Sequence, residues 1–163
     1  IDLASVTNRV EKVLGLHFMN PVPLMKLLEI VKSIATSKEV LDICKEFGKS
    51  LGKTVIVAKD TPGFIVNYLQ YPFRLNAIRM LEQGLATKEE IDAAATFALG
   101  HPMGPLALQD LVGLDVTYEG ALATYEATGD PNFFPPVLMK KMIAAGWLGR
   151  KTGKGFYDYT KKK

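Results

Sequence analysis

The sequence predicts a mainly α-helical protein in which a short α/β segment precedes an all-helical unit. Strand-like apolar runs stop after residue 59, and helical patterns with glycine or proline boundaries fill the rest of the 163 residues. The chain is 48% hydrophobic and 23% charged, which is typical of a protein with a packed core. We therefore divide it into residues 1–59, the tail of an α/β domain, and residues 60–163, an all-helical unit.

Composition excludes several classes of protein. The net charge is only +3, and the single basic run is at residues 161–163, so the pattern does not predict a nucleic-acid surface. A single cysteine, Cys44, excludes an intrachain disulfide and fits a reducing compartment. No apolar run reaches the roughly 18–20 residues of a membrane span. We expect a cytoplasmic protein with neither a nucleic-acid nor a membrane partner.

The first segment has three apolar runs with the length of strands: residues 13–18, 27–31 and 54–58. Residues 20–23 contain two prolines and predict a turn after the first run. Thr36 and Glu39 have the spacing of a capping box, which predicts the start of a helix there. Gly52 marks the end of that helix. The order is therefore strand, strand, helix, strand.

The second segment contains five helical patterns: residues 60–84, 87–99, 106–112, 114–128 and 135–146. Pro62 predicts the first turn of the first helix, and Pro72 predicts a kink inside it. Thr87 and Glu90 have capping-box spacing at the start of the second helix. The glycine-rich residues 149–157 predict an irregular end.

His17 and Glu29 are the strongest candidates for chemistry. His17 is at the end of a predicted strand. Ligands of open α/β sheets bind beyond the carboxyl ends of strands, so this position favours a catalytic role. The alternative is a histidine at the rim of the core that is hydrogen-bonded to backbone. Glu29 interrupts an apolar strand, where an unpaired carboxylate is costly. If the two strands fold back about Pro23, residues 17 and 29 face each other and the carboxylate can orient the imidazole. A glutamate at a solvated strand edge remains the alternative.

Other polar residues give weaker signals. Asn67 lies among apolar residues near the start of a helix, where its amide could bind a substrate carbonyl or fix the neighbouring loop. His101, between Gly100 and Pro102, fits a turn. The sequence contains no cluster of metal ligands and no G-x-G-x-x-G motif. These patterns alone do not select a reaction.

Four blocks in order together resemble the 3-hydroxyacyl-CoA dehydrogenase family: residues 15–29, 60–67, 101–105 and 149–157. The resemblance runs the whole length of the chain and is nearest to the short, single-function bacterial type. It implies an NAD-binding Rossmann domain followed by a helical domain that binds substrate and forms a homodimer. Residues 1–59 would be the end of the first domain, and residues 60–163 all of the second.

The resemblance also implies a reaction and roles for residues. A (3S)-3-hydroxyacyl-CoA would be oxidised reversibly to the 3-ketoacyl-CoA with NAD as cofactor. His17 would act as general base, Glu29 would orient it, and Asn67 would contact the carbonyl region of the acyl-CoA. Asn20 and Lys151 would contact NAD. The family's glycine-rich turn has no counterpart here, and its catalytic serine would lie before Ile1.

Two expectations follow for the chain taken alone. Without the glycine-rich turn, residues 1–163 should bind NAD too weakly to measure and should be inactive, although the parent protein is an enzyme. Tyr68 departs from the family, which often has arginine after the asparagine. The alternative from another class is a non-catalytic dimerisation or binding module that retains only the helical unit.

Overall fold

The computed structural model of the chain describes residues 1–160; the basic run at 161–163 lies outside them. The chain divides into two compact units, Ile1–Ile65 and the residues from Val66 onward. The sequence-based boundary after residue 59 falls earlier because residues 60–65 are bonded to the sheet, Ile65 N–H donating to Glu29 at 3.0 Å. No helix in the described residues is long and apolar enough to cross a membrane.

The first unit is a small sheet with one long helix. Its elements are α1 (Asp2–Ser5), a 3-10 turn (Val10–Lys12), β1 (Gly15–Phe18), β2 (Leu27–Lys32), α2 (Lys38–Ser50) and β3 (Thr54–Lys59). The strand order is β1-β2-β3, with β1 antiparallel and β3 parallel to β2. A parallel pair needs a crossover connection, and α2 supplies it. The predicted strands and their order are confirmed.

The register of β1 on β2 confirms the fold-back about residue 23. His17 lies opposite Glu29, and Phe18 lies opposite Leu28. Directly opposed residues of an antiparallel pair project from the same face of the sheet. Glu29 belongs to the central strand and is fully buried, which excludes a glutamate at a solvated strand edge.

The start of α2 differs by one residue from the prediction. Ser37, not Thr36, is the N-cap, and its hydroxyl accepts from Val40 N–H at 3.3 Å. The Thr36 hydroxyl instead donates to the carbonyl of Val13 at 2.9 Å and accepts from Ser33 N–H at 3.0 Å. The predicted capping box is wrong because Thr36 ties this loop to the segment that leads into β1.

The predicted helix start at residues 60–63 is also wrong. The helix α3 runs from Val66 to Glu82, and residues 62–65 form a turn. Gly63 has φ 82° and Phe64 has φ 47°, so both lie in the left-handed region. A right-handed helix cannot continue through that backbone conformation. Pro62 therefore belongs to a Pro-Gly turn and not to a first helical turn.

The described part of the second unit contains five α-helices: α3 (Val66–Glu82), α4 (Lys88–Phe97), α5 (Pro105–Val112), α6 (Leu114–Thr128) and α7 (Val137–Ala144). Pro72 lies inside α3. The Thr87–Glu90 capping box at the start of α4 is confirmed. One core joins the helices, with members that include Leu75, Ile78, Ile91, Leu106, Leu114, Phe133, Met139 and Phe156. The predicted mainly α fold class is confirmed.

The irregular C-terminal segment is fastened by Asp110 of α5. This side chain is 1% exposed and accepts hydrogen bonds from Phe156 N–H, Tyr157 N–H and the Tyr159 hydroxyl. Burial raises the pKa of Asp110, and the bonds it accepts oppose that effect. A Cβ at Gly155 would collide with the carboxylate, so the absence of a side chain there permits the close approach.

Candidate active site

A histidine–carboxylate pair lies at the carboxyl end of β1. Nδ1 of His17 is 2.6 Å from Oε2 of Glu29, which confirms the contact predicted from the spacing. The Glu29 side chain is fully buried, whereas that of His17 is 30% exposed. An ionised carboxylate can only accept a hydrogen bond, so this contact with ionised Glu29 requires the tautomer with the proton on Nδ1, which leaves Nε2 as an acceptor.

The second oxygen of Glu29 is also held. Oε1 accepts from the main-chain N–H of Ile65 at 3.0 Å. A buried carboxylate is stabilised when hydrogen bonds replace the water that it has lost. Glu29 therefore presents Oε2 to the imidazole in a fixed direction.

Phe64 lies against the imidazole from the turn that follows β3. The ring centroids of Phe64 and His17 are 5.4 Å apart, and their planes meet at 62° in an edge-to-face contact. Such contacts favour one ring orientation over others. The imidazole is thus held by a hydrogen bond and by an aromatic neighbour.

The same unit contains a cavity of about 570 Å³. Its lining includes Val13, Leu14, Gly15, Val31, Pro62 and Phe64. Residues 1–4 also line it, whereas His17 and Glu29 are not among its lining residues. Phe64 therefore contacts the imidazole and also lines the cavity.

The other predicted site residues are distributed over both units. Asn20 is exposed in the turn after β1. Asn67 is half-buried at the second residue of α3. Lys151 Nζ is bonded to both carboxylate oxygens of Asp115 at 2.6 Å, and this bond lowers the pKa of Asp115. The structure thus brings His17 and Glu29 together, and it gives Lys151 a counter-ion that sequence reasoning did not anticipate.

The second histidine has a different environment. His101 follows α4, and its ring stacks on Phe73 with centroids 4.7 Å apart and planes at 13°. Within residues 1–160, no group of three or more histidine, cysteine or acidic side chains is arranged to hold a metal ion.

Two contributions to the site were missed from the sequence, the Phe64 ring and the Ile65 N–H. Both belong to the turn at residues 62–65, which the apolar pattern of residues 60–84 wrongly predicts to be helical. The Pro62-Gly63 dipeptide was the available signal, because proline followed by glycine marks turns.

The fold and the His17–Glu29 pair define a class of protein. Its α/β unit carries a histidine that is oriented by a buried carboxylate, an arrangement typical of acid–base sites. The chain belongs to the 3-hydroxyacyl-CoA dehydrogenase family. The family's C-terminal domain matches residues 63–159, and its NAD-binding domain matches residues 1–61. The resemblance found in the four sequence blocks is confirmed.

Individual relatives agree with the family assignment. The chain is 42% identical over 99% of its length to a probable 3-hydroxybutyryl-CoA dehydrogenase of Bacillus subtilis, covering 56% of that protein. It is 48% identical over 97% of its length to the mitochondrial hydroxyacyl-coenzyme A dehydrogenase of Sus scrofa, covering 51% of it.

A solved structure of (S)-3-hydroxybutyryl-CoA dehydrogenase PaaH1 from Ralstonia eutropha is also similar. It matches with a TM-score of 0.95 and 43% identity, over 98% of this chain and 56% of that one. The chain spans about half the length of the curated relatives that it matches.

Proposed function

We propose that the protein to which this chain belongs is a cytoplasmic dehydrogenase that interconverts (3S)-3-hydroxyacyl-CoA and 3-ketoacyl-CoA with NAD. The hydrogen bond of 2.6 Å between His17 Nδ1 and Glu29 Oε2 carries the proposal, because it prepares a base for the substrate hydroxyl. Several relatives are 3-hydroxybutyryl-CoA dehydrogenases, which favours 3-hydroxybutanoyl-CoA, a short-chain substrate.

His17 is the general base of the proposed reaction. Nε2 accepts the proton of the 3-hydroxyl group as the C3–O bond becomes a carbonyl, and it returns that proton in the reverse direction. The nicotinamide ring of bound NAD supplies the hydride acceptor. Glu29 keeps the proton on Nδ1 and stabilises the imidazolium that forms. General base catalysis of this kind contributes typically about 10²–10⁴-fold.

The chain's own residues offer limited contacts to NAD. The exposed amide of Asn20 follows β1 by two residues, and it fits a hydrogen-bonding contact with the cofactor. Lys151 already pairs with both oxygens of Asp115, so it contacts NAD only if that ion pair opens. The glycine-rich turn that binds pyrophosphate does not occur in this sequence.

Asn67 is proposed to act on the acyl-CoA. Its side-chain N–H groups can donate to a thioester carbonyl, which would fix the acyl chain and polarise the carbonyl. Its half-buried position in the first turn of α3 leaves part of the amide accessible.

The helical unit is proposed to form the homodimer. Support comes from large apolar side chains that this unit leaves in solvent, including Leu69, Phe97 and Leu99 at 71%, 88% and 65% exposure. Sedimentation at micromolar concentration should give the mass of two copies. A monomer at that concentration would contradict the proposal.

The function is tested by replacing each of the two histidines in the whole protein. His17→Ala should lower kcat about 10²–10⁴-fold with little change in KM, because only the base is removed. His101→Ala is the matched control and should keep kcat near the wild-type value. Full turnover by the His17 variant would disprove the proposed mechanism.

A further inference from the structure

The backbone of Phe64 has an unusual conformation. Its φ of 47° is in the left-handed region, and no other described non-glycine residue has a positive φ. A Cβ makes this region unfavourable, whereas glycine would adopt it at no steric cost. Such outliers persist where the surroundings fix them, and they cluster at functional sites. In this conformation the Phe64 ring contacts the imidazole of His17.

The turn that contains Phe64 directs a donor at Glu29. Phe64 N–H donates to the carbonyl of Thr61 at 3.0 Å, which closes the turn. The next amide, that of Ile65, donates to Oε1 of Glu29 at 3.0 Å. Because Oε2 meets His17, rotation of the carboxylate would break a main-chain hydrogen bond as well as the contact with the imidazole.

The Phe64 ring acts on the other partner of the pair. Its edge-to-face contact with His17, at a centroid distance of 5.4 Å, opposes rotation of the imidazole about its last torsion. That rotation would take Nδ1 away from Glu29. Backbone and ring therefore restrict the two halves of the same hydrogen bond.

We propose that Phe64 is a positioning residue, whose left-handed backbone and ring together hold His17 as the Nδ1–H tautomer with Nε2 directed to the substrate. The inference deepens the proposed function, since it assigns the residue that keeps the base in its working form. Its effect on the imidazole is measurable without turnover.

The first test is NMR of the imidazole nitrogens in the ¹⁵N-labelled chain. The chain has only two histidines, so both are resolved and His101 serves as an internal reference. Wild-type His17 should show one Nδ1–H tautomer with a slowly exchanging proton. Phe64→Ala should give mixed tautomers and fast exchange. Phe64→Leu keeps apolar bulk and the fold of the sheet unit, and it should still lose the single tautomer, whereas Phe64→Tyr should retain it.

Phe73→Ala is the matched control, because Phe73 stacks on His101. This variant should change the His101 signals and leave those of His17 unchanged. If Phe64→Leu has the wild-type tautomer and exchange rate of His17, the inference is overturned.

The second test is the kinetics of the whole protein. Phe64→Leu should lower kcat about tenfold with KM for the acyl-CoA nearly constant, because a misdirected base slows the chemical step. Phe64→Tyr should restore the rate. Activity that survives His17→Ala would disprove the proposed function, whereas unchanged imidazole signals in Phe64→Leu would disprove only the role of Phe64.

Discussion

Glu29 in the sheet unit and Asp110 in the helical unit are both almost completely buried carboxylates. Asp110 accepts from two main-chain N–H groups and one tyrosine hydroxyl, at 2.9–3.0 Å. The partners of Glu29 include the main-chain N–H of Ile65 and the imidazole of His17. The two acids thus share burial and differ in their partners.

The partners determine what each carboxylate can do. The donors to Asp110 have fixed protons, so its bonds hold the C-terminal segment in place. One oxygen of Glu29 meets His17, a partially exposed side chain whose other ring nitrogen, Nε2, can bond to a ligand. A buried acid therefore indicates function when it orients a partly exposed side chain that can reach a ligand.

The largest expected effect comes from neutralising each acid while keeping its shape. Glu29→Gln should lower kcat of the whole protein about 100-fold, since the imidazole loses its orienting charge. Asp110→Asn should lower the free energy of unfolding of the helical unit by about 2–4 kcal/mol, because the amide cannot accept from all three donors. Trp147 fluorescence reports unfolding of that unit, since Trp147 is the only tryptophan.

The comparison fails if the two variants behave alike. A folded Asp110→Asn protein without activity would place Asp110 in the chemistry. A Glu29→Gln protein with normal kcat and reduced stability would make Glu29 a structural acid.

A smaller effect should distinguish the helix caps of the two units. Thr87 and Glu90 exchange hydrogen bonds at the start of α4, whereas Ser37 accepts a single bond at the start of α2. Thr87→Ala should cost about 1 kcal/mol of unfolding free energy, and Ser37→Ala about 0.5 kcal/mol. Urea unfolding followed by circular dichroism measures both. Thr87→Ser should restore stability, and an equal loss in the two alanine variants would contradict the ranking.

The smallest effect is a difference in pH dependence between two acids of the helical unit. Burial raises the pKa of Asp110, so its folded form binds a proton more readily and its contribution to stability increases as pH falls through the raised pKa. The hydrogen bond from Lys151 lowers the pKa of Asp115. The contribution of Asp115 is therefore present above its unfolded pKa and is lost as pH falls through the lowered value.

Urea unfolding between pH 3 and pH 7 checks these signs by comparing wild type with Asp110→Asn and Asp115→Asn. The two difference curves should slope in opposite directions. The Asp115 contribution should be about 0.5 kcal/mol because the ion pair is partly exposed. Slopes of the same sign would contradict the assigned causes.

The sequence predicted those structural features that depend on residues close together along the chain. The apolar runs gave the three strands, and the equal spacing about Pro23 gave the contact of His17 with Glu29. The helices of the second unit followed from periodicity and boundary residues. In each case the signal and the structure lie within one segment of chain.

Features set by distant contacts were not predictable in this way. Thr36 and Ser37 are adjacent hydroxyl residues, and the bond from Thr36 to Val13 decides which one caps α2. Pro62-Gly63 signals the turn but not the left-handed conformation of Phe64 within it; the next residue, Ile65, is bonded to the distant Glu29. The three partners of Asp110 lie 46, 47 and 49 residues further along the chain, beyond the reach of a periodic pattern.

The antiparallel register of β1 and β2 has a consequence for the order of folding. His17 and Glu29 are only 12 residues apart, so their contact closes a short loop, and pairing of this kind forms in roughly microseconds. The parallel pairing of β2 with β3 must wait for the longer connection through α2. A one-residue slip of β2 against β1 would move Glu29 to the other face of the sheet, away from His17. The contact between His17 and Glu29 therefore needs only the local pairing of β1 with β2, whereas the complete sheet also needs β3.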